Sequence, residues 1–175
     1  TVLLALLGAL LAVALVYVAY VMVTYERLPD NLALTVDAPL AADEAAPVVS
    51  ADEEFTVVTA NLGFGAYNRD FDFFMDGGEG VSPSDAETVR QNMLGIEDLI
   101  RGADADFVML QEVDTDSKRS YGYDQWRQYE FDLKDYESRF ALNYSCDYVP
   151  YPVTEPIGRV HSGVATYSRY DITAA

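Results

Sequence analysis

The sequence predicts an α/β domain behind a single membrane-spanning helix, and three observations carry that expectation. Two apolar runs, Phe55-Thr-Val-Val-Thr-Ala-Asn61 and Asp106-Phe-Val-Met-Leu-Gln-Glu112, each read as a buried β-strand whose last residue is polar. A capped amphipathic stretch separates them, and a run from Val2 to Val23 holds no charged residue. In an open α/β sheet, ligands and catalytic groups gather at the carboxyl ends of the strands. Asn61 and Glu112 are therefore expected to form two halves of one site. An amide and a carboxylate held side by side on rigid strands suit a hard divalent cation and an anionic substrate oxygen.

Residues 1–25 are expected to cross a bilayer, since a helix of roughly 20 apolar residues suffices. Tyr17, Tyr20 and Tyr25 gather toward the carboxyl end of that run, as interfacial aromatics do. A cleaved signal peptide has an apolar core of only about 7 to 15 residues and a small-residue cleavage site. The longer run here, with Tyr-Val-Met-Val-Thr at its end, favours a retained anchor. Residues 26–54 follow as an acidic linker with Pro29, Pro39 and Pro47 and no sustained apolar period. From Leu28 to Glu54 there is no Lys or Arg, so this side is expected to lie outside the cell. The globular domain is placed at residues 55–175.

Charge narrows the partner. The chain carries 29 acids against 11 bases, a net charge of −18. Such a surface repels polyanions, and binding nucleic acid without sequence preference requires a basic footprint. Non-specific nucleic-acid binding is disfavoured, and small or lipid-like phosphoesters fit better than long nucleic acid. The single cysteine, Cys146, excludes an intramolecular disulfide and argues against a thiolate zinc site.

Within the domain the elements follow in order. After Asn61 comes Leu-Gly63-Phe-Gly65-Ala-Tyr67, then Phe71-Asp-Phe-Phe-Met-Asp76-Gly-Gly78, a loop too polar for core and too aromatic for a plain linker. A helix opens near Ser82-Pro83-Ser84-Asp85-Ala86-Glu87, where Ser84 and Glu87 have capping-box spacing and Ser82 offers an earlier start. Val89, Met93, Ile96 and Ile100 form one apolar stripe, and Gly102 is expected to end the helix. Strand, helix, strand makes a right-handed parallel crossover the default, bringing Asn61 and Glu112 to one edge. A second helix is expected within Asp124 to Ser138 from Trp126, Tyr129, Leu133 and Tyr136, a stripe packed on the sheet. Phe140 to Tyr144 and Arg159 to Tyr170 read as further strands, joined by a Pro-rich extended loop.

At this point the residues resemble a known family. Thr59-Ala-Asn61, Leu110-Gln-Glu112-Val-Asp114 and Ser162-Gly-Val-Ala-Thr-Tyr-Ser-Arg-Tyr170 look like the endonuclease/exonuclease/phosphatase superfamily, of deoxyribonuclease I-like fold. Phe73-Phe-Met-Asp-Gly-Gly78, Asp116-Ser-Lys-Arg-Ser120 and Pro156-Ile-Gly158 are similar to its membrane-anchored bacterial members. The likeness spans nearly all of residues 55 to 173. It implies a four-layer α/β sandwich, of which this chain holds the N-terminal half, and metal-dependent cleavage of a phosphoester. Glu112 matches the family's Mg²⁺-binding glutamate, and Asn61 the asparagine at the metal shell or scissile phosphate. Mg²⁺ (or Mn²⁺) is thus the implied cofactor, held by Glu112 and Asn61. The family's Asp-x-Asn motif and terminal Asp-His pair should fall beyond Ala175. Together with Thr1 in place of Met, this leads us to expect a longer protein at both ends and a fragment without activity.

Other residues are weighed more plainly. Gln111 should point away from Glu112 and be structural. His161, the sole histidine, reads as a strand residue at the site rim rather than the general base. Arg119, Ser162 and, as a substrate contact, His161 are candidates to touch a phosphate, against the plainer reading of a solvated arginine and two strand residues. Asp114 and Asp116 lack the calcium-loop pattern and are expected to raise the local cation concentration. Three functions remain: a membrane-tethered phosphoesterase, a surface-exposed binding or scaffold module that kept the fold without catalysis, and an acidic cation-binding linker protein. The last does not account for Asn61 and Glu112 at strand ends.

Overall fold

The computed structural model describes residues 1–24, 27–39, 46–50 and 52–175. Val2–Thr24 forms helix α1, 23 residues with no charged and no buried side chain. It is long and apolar enough to span a membrane. Tyr25, expected at its interfacial end, lies outside the described residues, as do Glu26, residues 40–45 and Ala51 of the expected linker.

Four strands make one mixed sheet. In chain order they are β1 (Val57–Asn61), β2 (Phe107–Asp114), β3 (Glu137–Val149) and β4 (Gly158–Ser168), arranged β1-β2-β4-β3. β1 and β2 run parallel, with Val57 opposite Phe107 and Asn61 opposite Gln111. Helix α2 (Ala86–Ala103) connects them. β4 returns antiparallel between β2 and β3.

α2 forms where the apolar stripe predicts, although both ends differ from expectation. Asp85, not Ser84, is the N-cap, and its carboxylate accepts the Thr88 N–H at 2.7 Å. Ser84 instead hydrogen-bonds the Thr88 hydroxyl. Gly102 lies inside the helix, and Asp104 takes the left-handed capping conformation at φ 47°. Asp tolerates that region better than most residues, because its short side chain bonds locally. Val89, Met93 and Ile100 are buried against Val108, Leu110, Ala165 and Tyr167, each contributing roughly 1.5–3 kcal/mol for full burial.

The second helix is shorter than its pattern. α3 covers Gln125–Asp132, capped by Asp124, and β3 has already begun at Glu137. Leu133 and Tyr136 still reach the core, because the turn after α3 keeps them on the buried side. The Tyr129 hydroxyl donates to the Met93 carbonyl and that of Tyr136 to Ala105, tying α3 and its exit to α2 and the following turn. Both helices cover one face of the sheet. Thr59, Met109 and Val164 stand on the other, each at least partly exposed. These are two layers of the mixed α/β architecture.

Parts of the expected linker are bonded to the domain. Asp37 and Ser138 exchange two backbone hydrogen bonds of 3.0 Å at the β3 edge, and Asp171 N–H donates to Pro47 O at 2.8 Å. Apolar patterning finds no element here because pairing with a sheet edge uses backbone groups alone.

Candidate functional site

The ends of β1 and β2 meet over a cavity of about 590 Å³. Asn61 is the last residue of β1, and its Nδ2 donates to Glu112 Oε1 at 2.8 Å. The Asn61 carbonyl Oδ1 accepts the Gly63 N–H at 2.8 Å. The amide is thereby fixed at both ends, and one carboxylate oxygen of Glu112 is oriented by it. Both residues line the cavity.

A β-bulge decides the direction of Glu112. Leu110 pairs with Ala165 and Val113 with Gly163, so Gln111 and Glu112 together oppose one β4 residue. Glu112 occupies the left-handed region at φ 53°, an uncommon conformation for a side chain of its size. The bulge cancels the pleat's alternation. Gln111, expected on the opposite face, lines the same cavity. Its Nε2 also donates to Thr59 Oγ1 and Met109 O, both at 3.1 Å, so it braces the strand ends as well.

A second irregularity faces the first. On β3, Leu142 pairs with Gly163 and Tyr144 with Ser162, which leaves Asn143 as an extra residue. Asn143 and Tyr144 join the cavity wall. Gly163, between the two bulges, permits this close approach: a Cβ there would stand 2.3 Å from the Ala141 carbonyl oxygen.

The third wall is the aromatic loop. Gly63, Phe64 and Gly65 take successive positive φ angles of 51°, 47° and 75°, a left-handed turn that glycine on either side makes accessible. The turn buries Phe64 at the cavity, where its ring meets Tyr67, Phe71 and Phe73 at 5.8 to 6.5 Å between centroids. Arg119 lies over the same ring at 4.1 Å. Asp76 accepts the Tyr67 hydroxyl at 3.3 Å. Burial, then the Asp76 carboxylate, push the Tyr67 phenol above its ordinary range, so it remains a donor at neutral pH.

Arg119 is not a solvated arginine. Its Nε and Nη2 donate to the two oxygens of Asp114 at 3.0 and 2.9 Å, and its side chain is 14% exposed while that of Asp114 is 0%. The Ser120 hydroxyl also donates to Asp114. The expectation that Asp114 and Asp116 attract cations is corrected, because Asp114 is matched by Arg119 and Asp116 by Arg159 at 2.6 Å. Of the other candidates, Ser162 lines the cavity, with its hydroxyl near Val113 O at 3.4 Å. His161 does not line it, and its Nε2 is buried without a hydrogen-bond partner among the described residues. Adjacent residues of a strand face opposite sides, so Ser162 and His161 cannot both turn inward.

Charge in the cavity shows what it can hold. Asp76 and Glu112 contribute two carboxylates, while the one lining guanidinium, Arg119, is already neutralised by Asp114. An anionic substrate is repelled from such a cavity unless a cation enters with it. Among the described residues no three His, Cys, Asp or Glu side chains converge as a cage. A single oriented carboxylate and neighbouring amide oxygens fit Mg²⁺, which keeps several waters and takes one or two protein carboxylates. Glu112 Oε2 accepts no hydrogen bond among the described residues and is the donor left for it. Tyr67, Asp76, Asn143 and Tyr144 carry no motif of their own. The density of aromatics and acids between Phe71 and Gly78 is the signal that marks that wall.

A sequence model described as the Endonuclease/Exonuclease/phosphatase family matches residues 58–175. Comparison with curated proteins and with solved structures returns no match.

Proposed function

Because the chain belongs to the endonuclease/exonuclease/phosphatase family over residues 58–175, a family of phosphoester hydrolases, we propose that it is a membrane-anchored, Mg²⁺-dependent phosphoesterase with its globular domain outside the cell. The observation that supports this reading best is the 2.8 Å hydrogen bond between Asn61 and Glu112 at neighbouring strand ends. In this reading Glu112 would hold the metal, and Asn61 fixes the carboxylate so that it need not reorient when charge develops. The second N–H of Asn61 has no partner among the described residues and would meet a phosphoryl oxygen. When bound, Mg²⁺ (or Mn²⁺) neutralises charge on the phosphoryl oxygens. Arg119, held rigid by Asp114 and Phe64, presents the edge of a guanidinium to the same anion, and Tyr67 stands as a protonated donor. Ser162 lies on the cavity floor as a neutral hydrogen-bonding group.

The anchored reading is supported by α1, whose 23 residues include no charge. The test is hydrolysis of a chromogenic phosphodiester by the full-length protein in Mg²⁺. Activity is expected to need the metal and to vanish in Glu112→Gln. A mutant that keeps the wild-type rate would remove the metal assignment, and a folded, metal-binding protein with no hydrolysis would favour the scaffold reading.

A further inference from the structure

The cavity wall continues outward into an exposed apolar rim. Rings run in contact from Phe64 to Phe73 at 5.8 Å, Phe73 to Phe74 at 4.9 Å, and Phe74 to Tyr151 at 5.6 Å, so the 71–78 loop and the 150–157 loop are joined edge to edge. At the outer end of this ladder Met75 is 71% exposed, Tyr151 61% and Val153 83%. Met75 belongs to both surfaces, since it also lines the cavity. Large apolar side chains grouped at the mouth of a polar cavity mark a contact with an apolar partner.

Two features select the partner. Asp37 is bonded to the β3 edge, so only the 12 residues between Thr24 and Asp37 separate α1 from the domain surface. Fully extended, such a segment reaches roughly 40 Å, which keeps the domain close to any bilayer that α1 spans. The rim is flanked by Asp72, Asp76, Glu79 and Glu155, and the chain is strongly acidic. Polyanions and anionic lipid are therefore repelled, while tyrosine, methionine and valine enter a neutral interface through burial alone.

We infer that the Met75, Tyr151 and Val153 rim rests in the zwitterionic headgroup layer of the membrane that α1 spans, so that the cavity opens onto lipid-linked phosphoesters. This deepens the anchored-hydrolase reading and rests on it. The aromatic ladder joins the rim to the cavity that Arg119 and Glu112 line, so a phosphate entering it would carry its acyl or isoprenoid arm past Met75.

The full-length protein, reconstituted in phosphatidylcholine vesicles, tests this in two arms. In the first, Val153→Trp is compared with Leu99→Trp, a site 75% exposed on α2, using lipids brominated near the headgroup. Quenching of Val153→Trp at least about threefold stronger than of Leu99→Trp, above the Trp126 background of wild type, is the expected result. Equal quenching would overturn the rim contact. In the second, the ratio of rates on a fluorogenic lipid phosphodiester and a soluble chromogenic one is measured. It should fall about tenfold in Tyr151→Ser/Val153→Ser, and an unchanged ratio would overturn the lipid substrate class. Wild type that hydrolyses neither compound overturns the hydrolase reading and the substrate class together, while the quenching arm still decides the contact. Protein extracted from the vesicles by alkaline carbonate would overturn the anchor and the rim contact alike.

Discussion

Asn61 Nδ2 donates to Glu112 Oε1 at 2.8 Å, joining the last residue of β1 to the bulged residue of β2 across a parallel pair. The bond orients a carboxylate that a metal would share. Asn61→Ala should lower Mg²⁺ affinity or activity by about 10- to 100-fold, the usual effect of losing a partner behind a ligand. Glu112→Gln should abolish metal-dependent turnover. Calorimetric Mg²⁺ titration alongside steady-state rates separates the two, because Asn61→Ala should recover at high Mg²⁺ and Glu112→Gln should not.

The left-handed φ of Glu112 implies a trade between function and stability. A non-glycine residue held there costs of order 1–3 kcal/mol, and glycine removes that cost. Glu112→Gly should therefore be inactive yet more stable than Glu112→Ala by about 1 kcal/mol. Urea denaturation of the pair checks this, and equal midpoints would show that the bulge stores no strain.

Asp114 is fully buried and holds Arg119 with two hydrogen bonds. Removing it leaves the guanidinium over the Phe64 ring without either of those bonds. Asp114→Ala should cost about 3–5 kcal/mol, as breaking one side of a buried pair does. Arg119→Lys keeps the charge without the bidentate fork and should fold better than it catalyses. Denaturant melts and KM for the phosphodiester read the two effects independently.

Acid should loosen two strand and helix starts together. The backbone N–H of Thr88 holds the Asp85 carboxyl below its ordinary pKa, and that of Thr56 does the same for Asp106. A folded-state pKa lower than the unfolded one gives stability that is present above roughly pH 4 and lost as pH falls through the folded value. Asp85→Asn and Asp106→Asn should each flatten the fall in melting temperature between pH 5 and pH 3. An unaltered slope would remove these caps from the acid response.

Chelation should act on the cavity before the fold. With Asp76 and Glu112 facing it and Arg119 already matched, the cavity repels a phosphate that arrives without a cation. EDTA should abolish hydrolysis while leaving far-UV circular dichroism unchanged, and Mg²⁺ should restore the rate.

The sequence by itself determined the elements whose cause is local. The uncharged run of α1, the stripe of Val89, Met93 and Ile100, and the polar ends of two apolar strands each follow from periodicity or propensity, and together they imply a parallel pair with Asn61 and Glu112 at one edge. Tertiary structure decided which way side chains turn there. The extra residues on β2 and β3 interrupt a period of two only because β4 lies between them, so the turn of Gln111 into the cavity and the arrival of Asn143 have no trace in either strand alone. Arg119 and Asp114 are five residues apart and read as surface charges until the Phe64 turn closes over them. Likewise, Asp37 finds β3 through backbone hydrogen bonds, which any sequence can make and which only the folded edge selects.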